Sequence, residues 1–151
     1  MEQKHPKHWL IITQYFPPEI GAPQIRLSSM IEELRKHNIN PSVLTAMPNY
    51  PKGKLFKGYK NKFLLNERYK GIPVKRTWIY PATGKSAIPR LLNYLSFTLT
   101  ATLAALTGPK PEVIFLESQP LSLGIVALLM KWIKKVPYIY NIPDLQIEVA
   151  K

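Results

Sequence analysis

Short apolar runs alternate with helical patterns along most of the chain. Four runs have the length and composition of buried strands: 9–12, 41–46, 113–116 and 136–141. After the first run, apolar residues at 27, 30, 31 and 34 follow the i, i+3, i+4, i+7 spacing of one helix face. The stretch 121–133 predicts a second, more apolar helix. This alternation predicts an α/β fold, a Rossmann-like open and mostly parallel sheet with helices on both faces.

Two further strands are predicted in the middle of the chain. Segments 62–69 and 72–80 are rich in β-branched and aromatic residues, and Lys70 and Gly71 separate them. We therefore expect a hairpin or an excursion at the edge of the sheet.

One uncharged stretch, 91–107, allows three interpretations. Its six leucines lie on one helix face, and the opposite face carries hydroxyl groups. It could be a helix packed in the core, an interfacial helix lying on a membrane with Lys85 and Arg90 at the level of the head groups, or a membrane span. At 17 residues it is short for a span, which needs about 20.

Composition narrows the class of protein. A chain of 151 residues with 46% hydrophobic residues predicts one globular domain. The lack of cysteine excludes a disulfide framework and a thiolate metal site, and the three histidines are too scattered for a metal cluster. No apolar segment of signal-peptide length opens the sequence, which favours the cytoplasm.

The formal net charge of +12 indicates an anionic partner. Nucleic acid, an anionic membrane surface or phosphorylated substrates would each account for it. The basic residues are spread over predicted loops and helix ends, without the stripe of interleaved aromatic residues that nucleic-acid modules carry. We therefore expect no nucleic-acid partner.

A proline-rich turn joins the first strand to the first helix and ends at Gly21. Such a turn leaves backbone N–H groups at the helix N-terminus free to bind an anion. Gly21 has no Cβ, so a phosphate could approach the backbone, and Pro23 suits the first helical turn. The alternative is that Gly21 is an ordinary turn residue, because one glycine is a weaker signal than a full G-x-G-x-x-G pattern.

A second candidate loop, 47–54, follows the second strand. The loop continues through 57–60, and its lysines could bind anionic groups or face solvent: Lys52, Lys54, Lys57 and Lys60. In open parallel sheets, ligands bind beyond the carboxyl ends of the strands. We therefore expect functional residues at four places: Gly21, 48–54, 117–120 and 144–148.

Four stretches resemble one family, the bacterial family-4 glycosyltransferases of the colanic-acid and O-antigen type, which build cell-surface polysaccharides. Residues 13–22 resemble the family's first loop, and 44–54 its second loop. Residues 91–97 resemble its long apolar helix, and Asp144-Leu145 with Glu148 resembles the segment that ends its N-terminal half. The resemblance extends from about residue 9 to residue 150.

The resemblance implies the two-domain GT-B architecture. In that family the N-terminal domain binds the acceptor, the C-terminal domain holds most of the nucleotide-sugar donor, and the glycosyl group is transferred with retained configuration, typically without a metal or other cofactor. The acceptor is often a polyprenyl-diphosphate carrier at the inner face of the cell membrane. The implied partners are a nucleotide-sugar, a lipid-linked or saccharide acceptor and, peripherally, the membrane.

The resemblance also implies roles for individual residues. The backbone N–H groups of Gly21 and Ala22 would face the donor diphosphate. Four residues would line the acceptor side: Arg26, Asn49, Tyr50 and Lys52.

The acidic segment would carry the chemistry, with Asp144 and Glu148 orienting an acceptor hydroxyl as the catalytic residues. Here the chain departs from the family pattern, because Gln146-Ile147 replaces the usual Trp-Pro and Pro143 precedes Asp144. The other role for Asp144 is to cap a helix N-terminus.

The sequence stops at Lys151, shortly after this segment. We expect residues 1–151 to be a GT-B N-terminal, acceptor-side domain without its C-terminal donor domain, as a fragment, a split-gene subunit or a remnant with little activity alone. The alternative is a non-catalytic module that binds phosphate or lipid diphosphate and acts with another subunit.

Overall fold

The computed structural model describes residues 7–60, 62–83 and 86–143 of the chain, where six strands and three helices follow one another. In chain order they are β1 (Lys7–Ile12), α1 (Ala22–Lys36), β2 (Ile39–Ala46), β3 (Leu64–Tyr69), β4 (Ile72–Thr77), α2 (Ala87–Thr107), β5 (Val113–Glu117), α3 (Leu123–Lys134) and β6 (Tyr138–Asn141). The strands form one sheet in the order β3-β4-β2-β1-β5-β6. Every neighbouring pair is parallel except β3 and β4, which confirms the predicted open, mostly parallel sheet.

The segment between β2 and α2 forms the predicted hairpin. β3 and β4 pair from Leu64 opposite Thr77 to Tyr69 opposite Ile72, and Lys70 and Gly71 make the two-residue loop. Both loop residues have positive φ angles, 49° and 81°, as a type I′ hairpin loop requires. The hairpin is also the sheet-edge excursion, because β3 ends the sheet while β4 pairs with β2.

The helices cover both faces of the sheet, as the sequence predicts. On one face, Leu27 and Ile31 of α1 pack against Ile11, Val43 and Val74. On the other face, α2 and α3 share a larger core with the alternate residues of β2 and β5. The side chains of a strand point alternately to the two faces, so each central strand contributes to both cores.

α2 packs on the sheet through its hydroxyl-bearing side. Its buried residues are Asn93, Phe97, Thr98, Thr100, Ala101 and Ala105. Five of the six leucines are exposed, and Leu106 packs partly against the core. The threonine side chains of α2 can be buried at low cost because their hydroxyl groups donate hydrogen bonds to carbonyls of the same helix. Thr98 Oγ1 donates to the Tyr94 carbonyl at 2.9 Å, and Thr102 Oγ1 to the Thr98 carbonyl at 2.7 Å.

Within the described ranges, no helix combines the length and apolarity that crossing a bilayer requires. This includes α2, which contains residues 91–107.

Candidate functional site

The loops that follow β1 and β2 meet at the carboxyl edge of the sheet, and the carboxylate of Glu19 joins them. It accepts hydrogen bonds from the backbone N–H groups of Phe16 at 3.0 Å, Asn49 at 2.9 Å and Tyr50 at 2.9 Å. Burial raises the pKa of Glu19, whereas these three N–H groups and nearby Arg76 act in the opposite direction. The two loops singled out in the sequence therefore form one structural unit.

Arg76, on β4, supports the same unit from inside the protein. Its side chain is fully buried, and its guanidinium donates to the carbonyls of Pro17 and Ala46 and to the carboxylate of Glu67. A guanidinium with several acceptors is well suited to hold irregular backbone, because its donors point in fixed directions.

A pocket of about 260 Å³ opens beside these loops. We call it the rim pocket. Its polar and aromatic lining comes from three parts of the chain: Tyr15, Asn49, Tyr50, Arg90, Asn93 and Tyr94. The rings of Tyr15 and Tyr50 lie 5.1 Å apart between centroids, tilted by 53°. The pocket thus offers aromatic surfaces, phenol and amide groups and one guanidinium.

The phenol group of Tyr15, in this pocket, stays protonated. Burial raises the pKa of Tyr15, and neighbouring Tyr94, Glu19 and Tyr50 raise it further. Its hydroxyl group is therefore a neutral hydrogen-bonding group, which suits a saccharide hydroxyl better than a role as a base.

Asn93 fixes the start of α2 against the first loop. Its Oδ1 accepts from Gln14 Nε2 at 2.7 Å, and its Nδ2 donates to the Tyr80 carbonyl at 2.6 Å. Sequence reasoning missed Asn93, Tyr15 and Tyr94 as site residues. The signal for Asn93 was present, because an amide within an otherwise apolar stretch needs hydrogen-bond partners when it is buried.

The backbone conformation at position 53, beside the pocket, requires a glycine. Gly53 has a φ of 65°, and a Cβ built on it would overlap the carbonyl oxygen of Ala82. The 47–54 loop therefore lies directly against the segment that follows β4 only because residue 53 has no side chain.

The Gly21 turn is open to solvent at the start of α1. Gly21 is half-buried, Ala22 is exposed, and the helix has neither a side-chain cap nor an acidic residue in its first turn. The φ of Gly21 is 177°, an extended conformation that any residue adopts, so its small size matters mainly for the space around it. A Cβ there would lie 2.6 Å from Gln24 Oε1.

Arg26 lies in a different cluster. Its Nη2 donates to both carboxylate oxygens of Glu117, at 3.0 and 2.9 Å, and Asn141 Nδ2 donates to Glu117 Oε1 at 3.2 Å. The cluster connects α1 to the carboxyl ends of β5 and β6.

The predicted site residues are therefore brought together only in part. Among the described residues, Asn49 and Tyr50 line the rim pocket, whereas Arg26 and Lys52 do not. Arg90, predicted at a membrane surface, lines the pocket as well. The remaining predicted residues lie outside the described ranges: Asp144, Glu148 and Lys85.

Comparison with known proteins gives a match in structure alone. No family model and no curated protein matches the chain. The catalytic domain of starch synthase IV from Arabidopsis thaliana, solved with ADP and acarbose, superposes on 91% of this chain with a TM-score of 0.58 and 14% sequence identity. The chain therefore has the Rossmann-like α/β fold of a GT-B domain. The match covers 34% of the starch synthase chain, so this chain spans about a third of that length.

The candidate site lies where proteins with open α/β sheets bind their ligands. In open α/β sheets, ligands bind outside the carboxyl ends of the strands. The rim pocket and the Gly21 turn both follow strands at that edge, since β1 ends at Ile12 and β2 at Ala46. At 14% identity the likeness carries the fold and no assignment of residues.

Proposed function

We propose that this chain is the acceptor-binding half of a retaining glycosyltransferase, which moves a sugar from a nucleotide-sugar to a surface-polysaccharide or lipid-linked acceptor. One observation carries the proposal. The two loops after β1 and β2, joined by Glu19, build the rim pocket on a GT-B fold, at the edge where such sheets bind ligands.

Gly21 and Ala22 are proposed to bind the donor diphosphate. The uncapped N-terminus of α1 offers backbone N–H groups and the positive end of the helix dipole to an anion. Donors aimed at a leaving diphosphate stabilise the charge that develops there. Asp144 and Glu148, outside the described residues, are proposed to orient the acceptor hydroxyl.

The rim pocket is proposed to bind the acceptor. The rings of Tyr15 and Tyr50 can lie against the apolar face of a sugar, and the amide of Asn49 and the phenol groups can meet its hydroxyl groups. Arg90 can bind an anionic group such as a phosphate. Arg26 and Lys52 are proposed to contact parts of the acceptor that extend beyond the pocket.

A second half, on the same or another polypeptide, is proposed to bring the donor and to close the cleft. The ligands in the starch synthase structure, ADP and acarbose, are a nucleotide and a saccharide, the two classes that this arrangement would need.

We propose that the assembled enzyme works in the cytoplasm at the inner face of the cell membrane. A non-catalytic module that binds lipid diphosphate remains the second candidate, favoured by the uncapped start of α1.

Titration of the isotopically labelled chain by NMR tests these roles with soluble probes. Inorganic diphosphate, the group that a nucleotide-sugar and a lipid diphosphate share, should shift the amide signals of Gly21 and Ala22. Maltotriose should shift those of the rim pocket, and Tyr50→Ala should weaken its binding roughly tenfold, as expected for the loss of one aromatic contact. The matched control is Phe63→Ala, which removes an exposed aromatic ring outside the pocket.

The two candidates differ in this experiment. Binding of both probes supports the glycosyltransferase half. Diphosphate binding without saccharide binding supports the non-catalytic module, and the lack of any shift at the rim would overturn both.

A further inference from the structure

Two helices on one face of the sheet expose apolar stripes to solvent. On α2 the stripe includes Leu91, Leu95, Leu99 and Leu103, and on α3 it includes Ile125 and Trp132. We call these six residues the outer face. Leu99 is 63% exposed and Trp132 is 69% exposed. Contiguous apolar surface of this kind on a folded protein usually marks an interaction site.

The outer face is a single surface, because α2 and α3 are fixed side by side. Near the start of α3, Thr98 Oγ1 and Ser122 Oγ lie 2.7 Å apart. At the other end, Lys134 Nζ donates to the carbonyls of Ala105 at 2.9 Å and Gly108 at 2.6 Å. Since both helices bury their opposite sides in the same core, the two stripes point away from the sheet together.

The charged residues of α2 and α3 have one sign. Neither α2 nor α3 contains an acidic residue, and their charged residues are Arg90, Lys131 and Lys134. The exposed carboxylates of Glu32 and Glu33 lie on α1, on the opposite face of the sheet. An ordinary solvent-facing helix side carries charged and polar residues instead of leucines.

We propose that the outer face docks the protein peripherally on the anionic surface of a phospholipid bilayer. Leucine and tryptophan side chains would enter the boundary between head groups and acyl chains, while Arg90 and Lys131 would meet lipid phosphates. This inference rests on the exposed surface and not on glycosyl transfer.

The chemistry of the stripe favours a bilayer over a protein partner. A protein interface normally carries about one hydrogen bond per 100–200 Å². The hydroxyl groups of α2 face inward or bond to their own helix, as Thr98, Thr100 and Thr102 do. Apart from the indole N–H of Trp132, the outer face thus has no side-chain donor or acceptor, and a bilayer does not require one.

Docking in this way would also place the rim pocket at the membrane surface. Arg90 lines the pocket, and the next residue, Leu91, begins the outer face. An acceptor anchored in the bilayer would then reach the pocket from the level of the head groups.

Vesicle flotation tests the proposal on the intact chain. The protein should float with vesicles of phosphatidylcholine and phosphatidylglycerol, and much less with phosphatidylcholine alone. Leu95→Ser/Leu99→Ser should reduce binding at least tenfold, because two buried leucine side chains would be lost. The matched control is Ile25→Ser on α1, which removes an equally exposed apolar residue, 64% against 63% for Leu99, from the opposite face.

Two further readouts locate the contact. Trp132 emission should shift to the blue with anionic vesicles, and Trp132→Phe should remove the shift. Lys131→Glu should weaken binding to anionic vesicles, whereas Arg35→Glu, also in the last turn of a helix, should not.

Several results would overturn the proposal. The first is that the protein floats with neither kind of vesicle. The second is that Ile25→Ser reduces vesicle binding as much as Leu95→Ser/Leu99→Ser does. The third is that the protein binds neutral and anionic vesicles equally and that Lys131→Glu does not change this binding. Self-association without lipid that Leu95→Ser/Leu99→Ser abolishes would instead show an interface between copies. The soluble-probe titration of the rim pocket is unaffected by these outcomes, so the two proposals fail separately.

Discussion

A single buried carboxylate holds the two loops of the rim pocket together. Glu19 accepts three backbone hydrogen bonds, two of them from Asn49 and Tyr50, which are separated from it by about thirty residues of sequence. Buried Arg76 binds the carbonyl of Pro17 in the same loop. The geometry of the pocket therefore depends on residues that do not line it.

Replacing Glu19 should destabilise the fold and disorder both loops. Glu19→Ala leaves three N–H groups without their acceptor, and we expect a loss of about 3 kcal/mol in the free energy of unfolding. Glu19→Gln should cost less, because one amide oxygen still accepts and burial already disfavours the ionised form of Glu19. Urea unfolding followed by circular dichroism measures both.

The control is Glu33→Ala, which removes only an exposed ion pair with Lys36, and exposed ion pairs add little to stability. Similar losses for Glu19→Ala and Glu33→Ala would contradict the role given to Glu19.

At the residue scale, the sequence predicts the loops better than it predicts their partners. Asn49 and Tyr50 lie just after β2, in a loop that contains several turn-forming residues. The sequence therefore predicts their position at the carboxyl edge of the sheet. Asn93 and Tyr94 reach the same pocket from α2, and that contact depends on how a helix packs more than 40 residues away in sequence. Local patterns carry no information on such an approach.

At the scale of elements, α2 shows that periodicity identifies the two sides of a helix but does not decide which side is buried. The leucine stripe and the hydroxyl-bearing side are both regular. Thr100, 5% exposed, donates to the Trp78 carbonyl at 2.8 Å, which ties the hydroxyl side to the end of β4. Strands and the hairpin were predicted correctly because their signals, short apolar runs and turn residues, are local.

Substitutions at two adjacent positions of α2 should have unequal effects on the free energy of unfolding. Thr100→Leu adds volume in a packed core and should lower the free energy of unfolding by about 1–3 kcal/mol. Leu99→Ser, on the exposed side, should change it by less than about 0.5 kcal/mol. The urea midpoints of the two variants compare them directly, and a larger loss for Leu99→Ser would mean that the helix is rotated from the orientation described.

At the scale of the whole molecule, charge and apolar surface are distributed unevenly. The sheet separates α1, with its carboxylates Glu32 and Glu33, from α2 and α3, which carry only basic charges. The match to starch synthase covers 34% of that chain. Catalysis is thus a property we assign to an assembly, not to this domain.

Glycosyl transfer should require the second half. We expect the purified chain, incubated with radiolabelled sugar nucleotides and a polyprenyl phosphate in detergent, to give little or no labelled lipid. Supplying a polypeptide with a donor-binding domain should restore transfer, because the donor and the closed cleft come from it. Asp144→Asn and Glu148→Gln should abolish the restored activity.

Robust transfer by the chain alone would refute this division of labour. Restored transfer that the two acidic substitutions leave intact would instead move the chemistry to other residues.

The structure restricts position 53 to glycine. Its positive φ and the carbonyl of Ala82 leave no room for a side chain, whereas Lys52 and Lys54 on either side are exposed. Among relatives that keep the rim pocket, we expect position 53 to remain glycine while both neighbours drift freely. A lysine-rich loop that looks uniformly tolerant in the sequence would then contain one invariant position.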